Sequence, residues 1–477
     1  MTKTSHDAVV VGSGPNGLAA AVALAGAGHR VTVLEAAAEI GGGTRTAELT
    51  EPGVLHDICS AIHPFGVASP FLSSLPLAEH GLVWRWPEID AAHPLDDGTA
   101  GVLHRSIDDT AAGLGADGAR WRRAFGPLAR DFDRFSPDVL GPILRMPDHP
   151  IMMARFGMRA LPPATLFARQ FQTEQAKALF AGCAAHVYRP LTGLTTASVG
   201  TMLIAAGHRH GWPVAEGGSQ AITRALAGLL VSLGGTIETG VHVRSLADLP
   251  EARVTMFDTS PTAFADIAGA RLPSLRKRSF RRWKYGPGAY KVDLAVRGGI
   301  PWTAESCRRA GTVHLGGTAA EIAQAEAAVG RGEMPDRPFV LVGQQYLCDP
   351  TRSAGDVHPV WAYAHVPAAY DGDATQAVLD QFERFAPGTR ERIVSTHVMT
   401  PADYEAYNPN YVGGDIATGA NTVRQLVARP GLRLDNYATG IPGLYLCSAA
   451  TPPGAGVHGM CGYRAARRAL AYLDGLS

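Results

Sequence analysis

The residues with the clearest chemical reading are Gly12, Gly14 and Gly17, spaced GxGxxG within residues 7–46. The apolar run Ala8–Val11 ahead of them predicts a strand buried on both faces. An Ala/Leu-rich pattern from about Asn16 to Ala25 predicts a helix. A turn falls at Gly26–Gly28, and a second strand, Val31–Leu34, runs into Glu35 and Ala36. Strand, glycine turn, helix, strand and acid is the order that a dinucleotide-binding unit requires. Gly12 permits the tight turn, Gly14 lets backbone approach a pyrophosphate, and Gly17 lets helix and strand pack closely. Ser13, Pro15 and Asn16 complete the turn, and the helix N-terminus is expected to offer free N–H groups to the phosphates. Glu35 can accept hydrogen bonds from both hydroxyls of an adenosine ribose, which disfavours a 2′-phosphate. The stretch is apolar enough to raise a membrane span, but its glycines, Pro15 and Asn16 argue for a buried strand–helix unit.

A second glycine run, Gly41-Gly42-Gly43-Thr44-Arg45-Thr46, follows Glu35 closely. Bare backbone there suits an extended FAD lying along the sheet, with Arg45 adding positive charge near the phosphates. The third signal lies 400 residues on. A strand over Gly443–Ser448 leads through Ser448 and Ala449 into a Pro/Gly-rich loop containing Gly456, Val457 and His458, and a helix follows from Cys461 to Leu473. The positive end of that helix can face the flavin edge where charge gathers on reduction. FAD is therefore the expected cofactor, and no metal site is expected.

These motifs together resemble the phytoene desaturase and carotenoid isomerase group of FAD-dependent oxidoreductases, in its bacterial branch. The resemblance covers essentially the whole chain, through GSGPNG, GGGTRT, DICSAIHPF, GGSQA, WAYAHVP, YNPNYVGGDI and YLCSAATPPGAGVHGMCGYRAA. It implies an α/β fold of the glutathione reductase/amine oxidase type: a Rossmann-like FAD-binding domain interleaved with an α+β substrate domain. It also implies that Val243 meets the adenine through its backbone. Many wider relatives carry Gly-Asp or Gly-Glu where Ser448-Ala449 stands; the phytoene desaturase branch lacks that acid too, so Ala449 contributes backbone alone.

At 477 residues two domains are expected. Residues 1–70, 211–280 and 421–477 are assigned to the FAD-binding domain, and 71–210 and 281–420 to the substrate domain. Forty-three basic and 43 acidic residues cancel, with no basic stripe for a nucleic acid. Charged residues make up 18 % and hydrophobic residues 46 %, which leaves apolar area for an internal chamber. The six cysteines show no CxxC pair, so reduced thiols in a cytoplasmic protein are expected, and a disulfide reductase is excluded. The short polar Met1–Asp7 has no signal-peptide core.

Asp57, Ser60 and His63 sit where the chain leaves the cofactor domain. Trp84, Trp86 and the turn residues 94–98 suggest a small hairpin, and helical patterns follow over 119–134, 150–170 and 173–187. Within 151–171, Met, Leu and Phe alternate with Arg155, Arg159 and Arg169, which suits a hydrophobic entrance or a peripheral membrane contact; Pro162-Pro163 breaks it. A helix over 221–233, strands at 236–238, 241–246 and 254–257, and further strands at 291–296, 339–345 and 360–366 complete the reading. Tyr363 and His365, two apart on the last of these, share a face.

One dinucleotide fingerprint is present, without a second for NAD(P)H. The flavin is expected to be reduced by an organic substrate, with hydride passing from a C–H to flavin N5 across about 3–3.5 Å. Oxygen, a quinone or another acceptor then reoxidises it. His63, His458, Tyr363 and His365 are the candidate catalytic residues. The composition favours a lipophilic small molecule as substrate for this dehydrogenase or desaturase. Three other readings stand beside it: a non-redox flavin isomerase, an amine oxidase, and a non-enzymatic relative of the GDP-dissociation inhibitors.

Overall fold

A computed structural model describes residues 6–431 and 435–475, so Met1–Ser5 of the polar lead lie outside it. β1 (His6–Val11) forms the centre of a five-stranded parallel sheet, between β2 (Val31–Glu35) and the strand Ala252–Phe257. Thr236–Thr239 flanks β2 at one edge, and Leu444–Leu446 flanks Ala252–Phe257 at the other. Val9 and Val10 are fully buried, as an apolar run covered on both faces must be. On one side α1 (Pro15–Gly26), the helix Gln220–Ser232 and the closing helix Met460–Asp474 pack through Leu18, Val22, Leu226, Leu230 and Ala465. On the other, Phe264 and Phe280 from two shorter helices press against Val9, Leu34 and Phe257.

The expected strand over 241–246 does not form. Gly240 turns the chain with φ +73°. The Arg244 and Ser245 N–H groups then donate to the Asp248 carboxylate at 2.8 Å each, which removes two donors from any ladder.

Seven strands make a second, mixed sheet. Val357–Val366 lies antiparallel between Gly288–Arg297 and Val340–Gly343. Ile89–Pro94 and Ala100–Leu103 form a hairpin around the 94–98 turn at one edge of it. Trp84 does not belong to that hairpin; Trp84–Arg85 pairs with Val214–Ala215. One sheet face buries Val292, Val342, Val360 and Phe382; the other carries Leu341, Trp361 and Tyr363 toward the helices around Trp121 and Phe180. The 119–134 pattern divides into Gly118–Arg130 and Phe132–Val139, and the 150–170 pattern into Pro150–Ala160 and Ala164–Ala168, with Pro162-Pro163 at the break. All six cysteines are free.

Candidate functional site

A single cavity of about 1030 Å³ begins at the glycine turn after β1 and runs on into the second sheet. At its first end Gly12, Ser13, Gly14, Pro15 and Asn16 form one wall, and Glu35 and Ala36 a second. Gly42, Gly43, Thr44 and Arg45 form a third, Val243 contributes from the loop after Gly240, and Ser448, Ala449, Gly456, Val457 and His458 close the fourth from the tail. Head and tail of the chain thus share one cradle.

Its bare backbone is built by close approach. A Cβ on Gly42 would sit 3.0 Å from the Gly14 Cα, so the two glycine runs lie back to back. Gly17 is outside the wall: a Cβ there would meet the Gly12 carbonyl at 2.1 Å, so its task is helix–strand packing. Glu35 is held ready, accepting through Oε2 from the Ser13 N–H (2.9 Å) and hydroxyl (2.5 Å), and through Oε1 from the Ala37 N–H (2.8 Å).

Two expectations about charge need correction. Arg45 does not direct a free cation at the cradle. Its guanidinium donates to the Glu39 carbonyl at 2.7 Å, lies 3.5 Å from Glu35 Oε1 and covers the Tyr407 ring at 5.2 Å. Nor are all first-turn N–H groups of α1 free, because Gly17 donates to Asp258 Oδ2 at 2.9 Å.

Beyond the cradle the walls turn apolar: Met153, Phe156, Met202, Leu203, Leu341 and Trp361. The polar groups among them are few. His63 is buried, its Nε2 paired with the Ser219 hydroxyl at 2.8 Å and its Nδ1 without a partner. Burial pushes its imidazole down to about 4, so it is neutral at pH 7. Ser219 in turn donates its N–H to Asp57, which pairs with the fully buried Arg352. Tyr363 lines the chamber, stacked on Tyr188 with centroids 6.2 Å apart and planes at 11°; burial raises both phenols.

His365 is not on the wall. Its Nδ1 lies 2.7 Å from the buried Glu326, so sharing a strand face with Tyr363 did not bring it to the chamber. His458 reaches the wall, but its Nδ1 accepts the Met460 N–H at 3.0 Å, which caps the start of the closing helix.

Sequence reading missed His186 and Tyr188. His186 lines the chamber with Nε2 3.1 Å from His314 Nε2, and burial pushes its imidazole down to about 3. Tyr188, Thr195 and Thr418 all line the cavity with positive φ (+54°, +68° and +56°), three of the four described non-glycine residues in that region. Such strain concentrates at functional sites. No local signal marks these positions, because a left-handed tyrosine is imposed by tertiary packing.

The NAD(P)-binding Rossmann-like domain family matches residues 10–74. Across the whole chain, mouse pyridine nucleotide-disulfide oxidoreductase domain-containing protein 2 is 24 % identical, covering 97 % of this chain and 93 % of the mouse protein. Putrescine oxidase superposes with a TM-score of 0.62 at 18 % identity, with 99 % of each chain covered. A fatty acid isomerase that produces CLA, from P. acnes, superposes with a TM-score of 0.58 at 15 % identity, again over 99 % of both. The cofactor is FAD. The turn after β1, the second glycine run and the tail loop line one cavity, which continues past them into the apolar chamber. The fold is that of the FAD-dependent oxidoreductases.

Proposed function

We propose that this protein is a dehydrogenase or desaturase of the phytoene desaturase-like kind, acting at a C–H of a lipophilic small molecule. The observation that carries this reading is the continuity of the cavity, from a dinucleotide cradle into a chamber walled by aliphatic and aromatic side chains. On the chamber side the only lining carboxylate among the described residues is Asp138. It accepts from Arg145 (2.7 Å) and from the N–H groups of Asp148 (2.9 Å) and His149 (3.0 Å), which leaves no bare acid to receive an ammonium. That favours an uncharged substrate over an amine.

When bound, FAD supplies the two-electron acceptor, taking hydride at N5. The chain's own residues do the rest. The apolar walls orient the substrate and exclude water. His63, neutral and with Nδ1 unpartnered, is placed to take a proton, and Arg352 and Asp57 hold it through Ser219. Tyr363 presents a protonated phenol to the same chamber. Oxygen, a quinone or another acceptor completes the cycle. The test is anaerobic mixing of the yellow protein with lipophilic alkenes, isoprenoids and polyenes. Loss of the visible flavin absorbance with a substrate, slowed at least about tenfold in His63→Ala or Tyr363→Phe, is the expected result. Bleaching by amines alone would overturn it, and product formed under nitrogen without bleaching or acceptor would identify an isomerase.

The substrate's route is read from the helix Pro150–Ala160. Its inner side, with Met153, Phe156 and Ala160, lines the chamber, and its outer side leaves Ile151 at 70 % and Met158 at 68 % exposure, beside Met146 at 85 %. A helix apolar on both sides, with Arg155 exposed among those residues, fits a peripheral contact of the protein with a lipid surface. Among the described residues no helix is long and apolar enough to cross a membrane. Co-sedimentation with anionic vesicles is expected, and Met146→Glu/Met158→Glu should leave the protein in the supernatant; wild type remaining there would remove the idea.

A further inference from the structure

The strand Ala252–Phe257 delivers Asp258 to the wall of the cradle, at the first turn of α1. Its Oδ2 accepts the Gly17 N–H at 2.9 Å and lies 2.6 Å from where a Cβ on Gly14 would stand. Oδ1 has no protein partner among the described residues. The acid therefore occupies the end of the helix whose dipole favours negative charge, which is the end a pyrophosphate needs.

The groups facing Asp258 do not neutralise it. From β2 comes Glu35, a second acid. From the segment after Leu444–Leu446 comes Cys447, and from the closing helix Cys461; burial raises both thiols, so neither is charged. From α1 and the turn before it come the backbones of Gly12, Gly14 and Gly17, which carry no charge. Among the described residues Arg45 is the one arginine or lysine on the cavity wall, and Glu35 and the carbonyls of Glu39 and Ile40 hold it. Among the described residues, a pyrophosphate arriving here meets two carboxylates and no free positive side chain on the wall.

We propose that Asp258 takes up a proton from solvent as FAD binds, and stands in the holoprotein as a neutral carboxylic acid. In that form one oxygen still accepts from Gly17 and the O–H can donate toward a phosphate. No other bond changes and nothing is oxidised or reduced. This rests on the FAD assignment. Burial, the Gly17 N–H opposing it and the Glu35 charge assisting it, already pushes the carboxyl up to about 7. A bound dianion raises it further. Linkage then sets the sign: affinity for FAD is greatest where the acid is already protonated and falls as pH rises above about 7, by up to about tenfold per unit.

The test uses the full chain stripped of flavin and titrated with FAD, followed by quenching of flavin fluorescence at pH 7 and 8.5. Wild type should bind about tenfold more weakly at the higher pH. Asp258→Asn, whose amide reproduces the acceptor and donor of the neutral acid, should bind equally at both, and more tightly than wild type at pH 8.5. Calorimetry of the wild type at pH 8 in two buffers of different ionisation heat should show uptake of about one proton per FAD, which keeps the test open should the variant misfold. A pH-independent wild type, no proton uptake, or an Asp258→Asn protein weakened at both pH values would overturn the proposal. Absence of FAD binding by wild type at every pH would instead overturn the cofactor assignment, and the proposal with it.

Discussion

Replacing Arg352 by methionine is expected to destabilise the folded protein by about 3–5 kcal/mol, because it leaves two carboxylates buried without their cation. Arg352 has no exposed surface. It donates Nη1 to Asp57 at 2.5 Å, Nε to Asp349 at 2.9 Å and Nη2 to the Ala215 carbonyl at 2.7 Å. Asp57 also accepts from Thr46 (2.9 Å) and from the Ser219 N–H (2.7 Å), and Asp349 from the Gly217 N–H (2.8 Å). Burial alone would raise the Asp57 carboxyl; the guanidinium and the Ser219 N–H outweigh it and hold the group below the usual carboxylate range. In wild type, then, this network stabilises at pH values above the ordinary carboxylate range, and its contribution is lost as pH falls through the lowered value. In Arg352→Met the sign reverses. Without the guanidinium, burial is left to raise the Asp57 carboxyl, so the variant should gain stability as pH falls from about 7 to 5. Denaturant midpoints across that range measure both effects. Adding Asp57→Asn and Asp349→Asn should recover part of the loss, and a single variant as stable as wild type would show that the charges are compensated another way.

The second large effect is expected at Gly462. A Cβ there would lie 1.8 Å from the Asn16 carbonyl oxygen and 2.9 Å from the Ala20 nitrogen, which are backbone atoms of α1 and cannot swing aside. The closing helix must move off α1, and the overpacking costs about 1–3 kcal/mol or more. The same shift displaces Gly456–His458 from the cradle, so Gly462→Ala should lose stability and FAD together. Gly475→Ala, at the end of the same helix with no neighbour inside 3.5 Å, is the control and should retain both. Measured flavin content and thermal midpoint decide the matter; a yellow, stable Gly462→Ala protein would mean that head and tail tolerate separation.

Much of the cofactor half was legible because its constraints are local in sequence. GxGxxG, the buried run of β1, the acid ending β2 and the Pro/Gly loop at Ser448–His458 each state a backbone requirement within a few residues, and they line the cradle as a set apart from Gly17. The substrate half was legible as elements but not as a site. Alternation in Val360–Val366 identified a strand and a shared face for Tyr363 and His365. Which residue of a face reaches the chamber depends on what packs there: Tyr188, which lines it, packs against His365 at 3.9 Å ring to ring, and His365 does not line it. Arg45 and Asp258 were misjudged or missed for a related reason. Charge assignment needs the partner, and Asp258 lies 241 residues from Gly17. Strand 241–246 failed because Asp248, two residues past its end, captured two of its N–H donors.

The parallel sheet is assembled out of chain order, and this has a consequence during synthesis. The strand Ala252–Phe257 pairs with β1 on one side and with Leu444–Leu446 on the other. On the ribosome nearly 190 residues emerge while that second edge is still bare, and an open hydrophobic strand edge is a template for pairing with foreign chains. Until the tail is made, that edge stays open to such pairing, and the cradle lacks the wall that Ser448, Ala449 and Gly456–His458 supply.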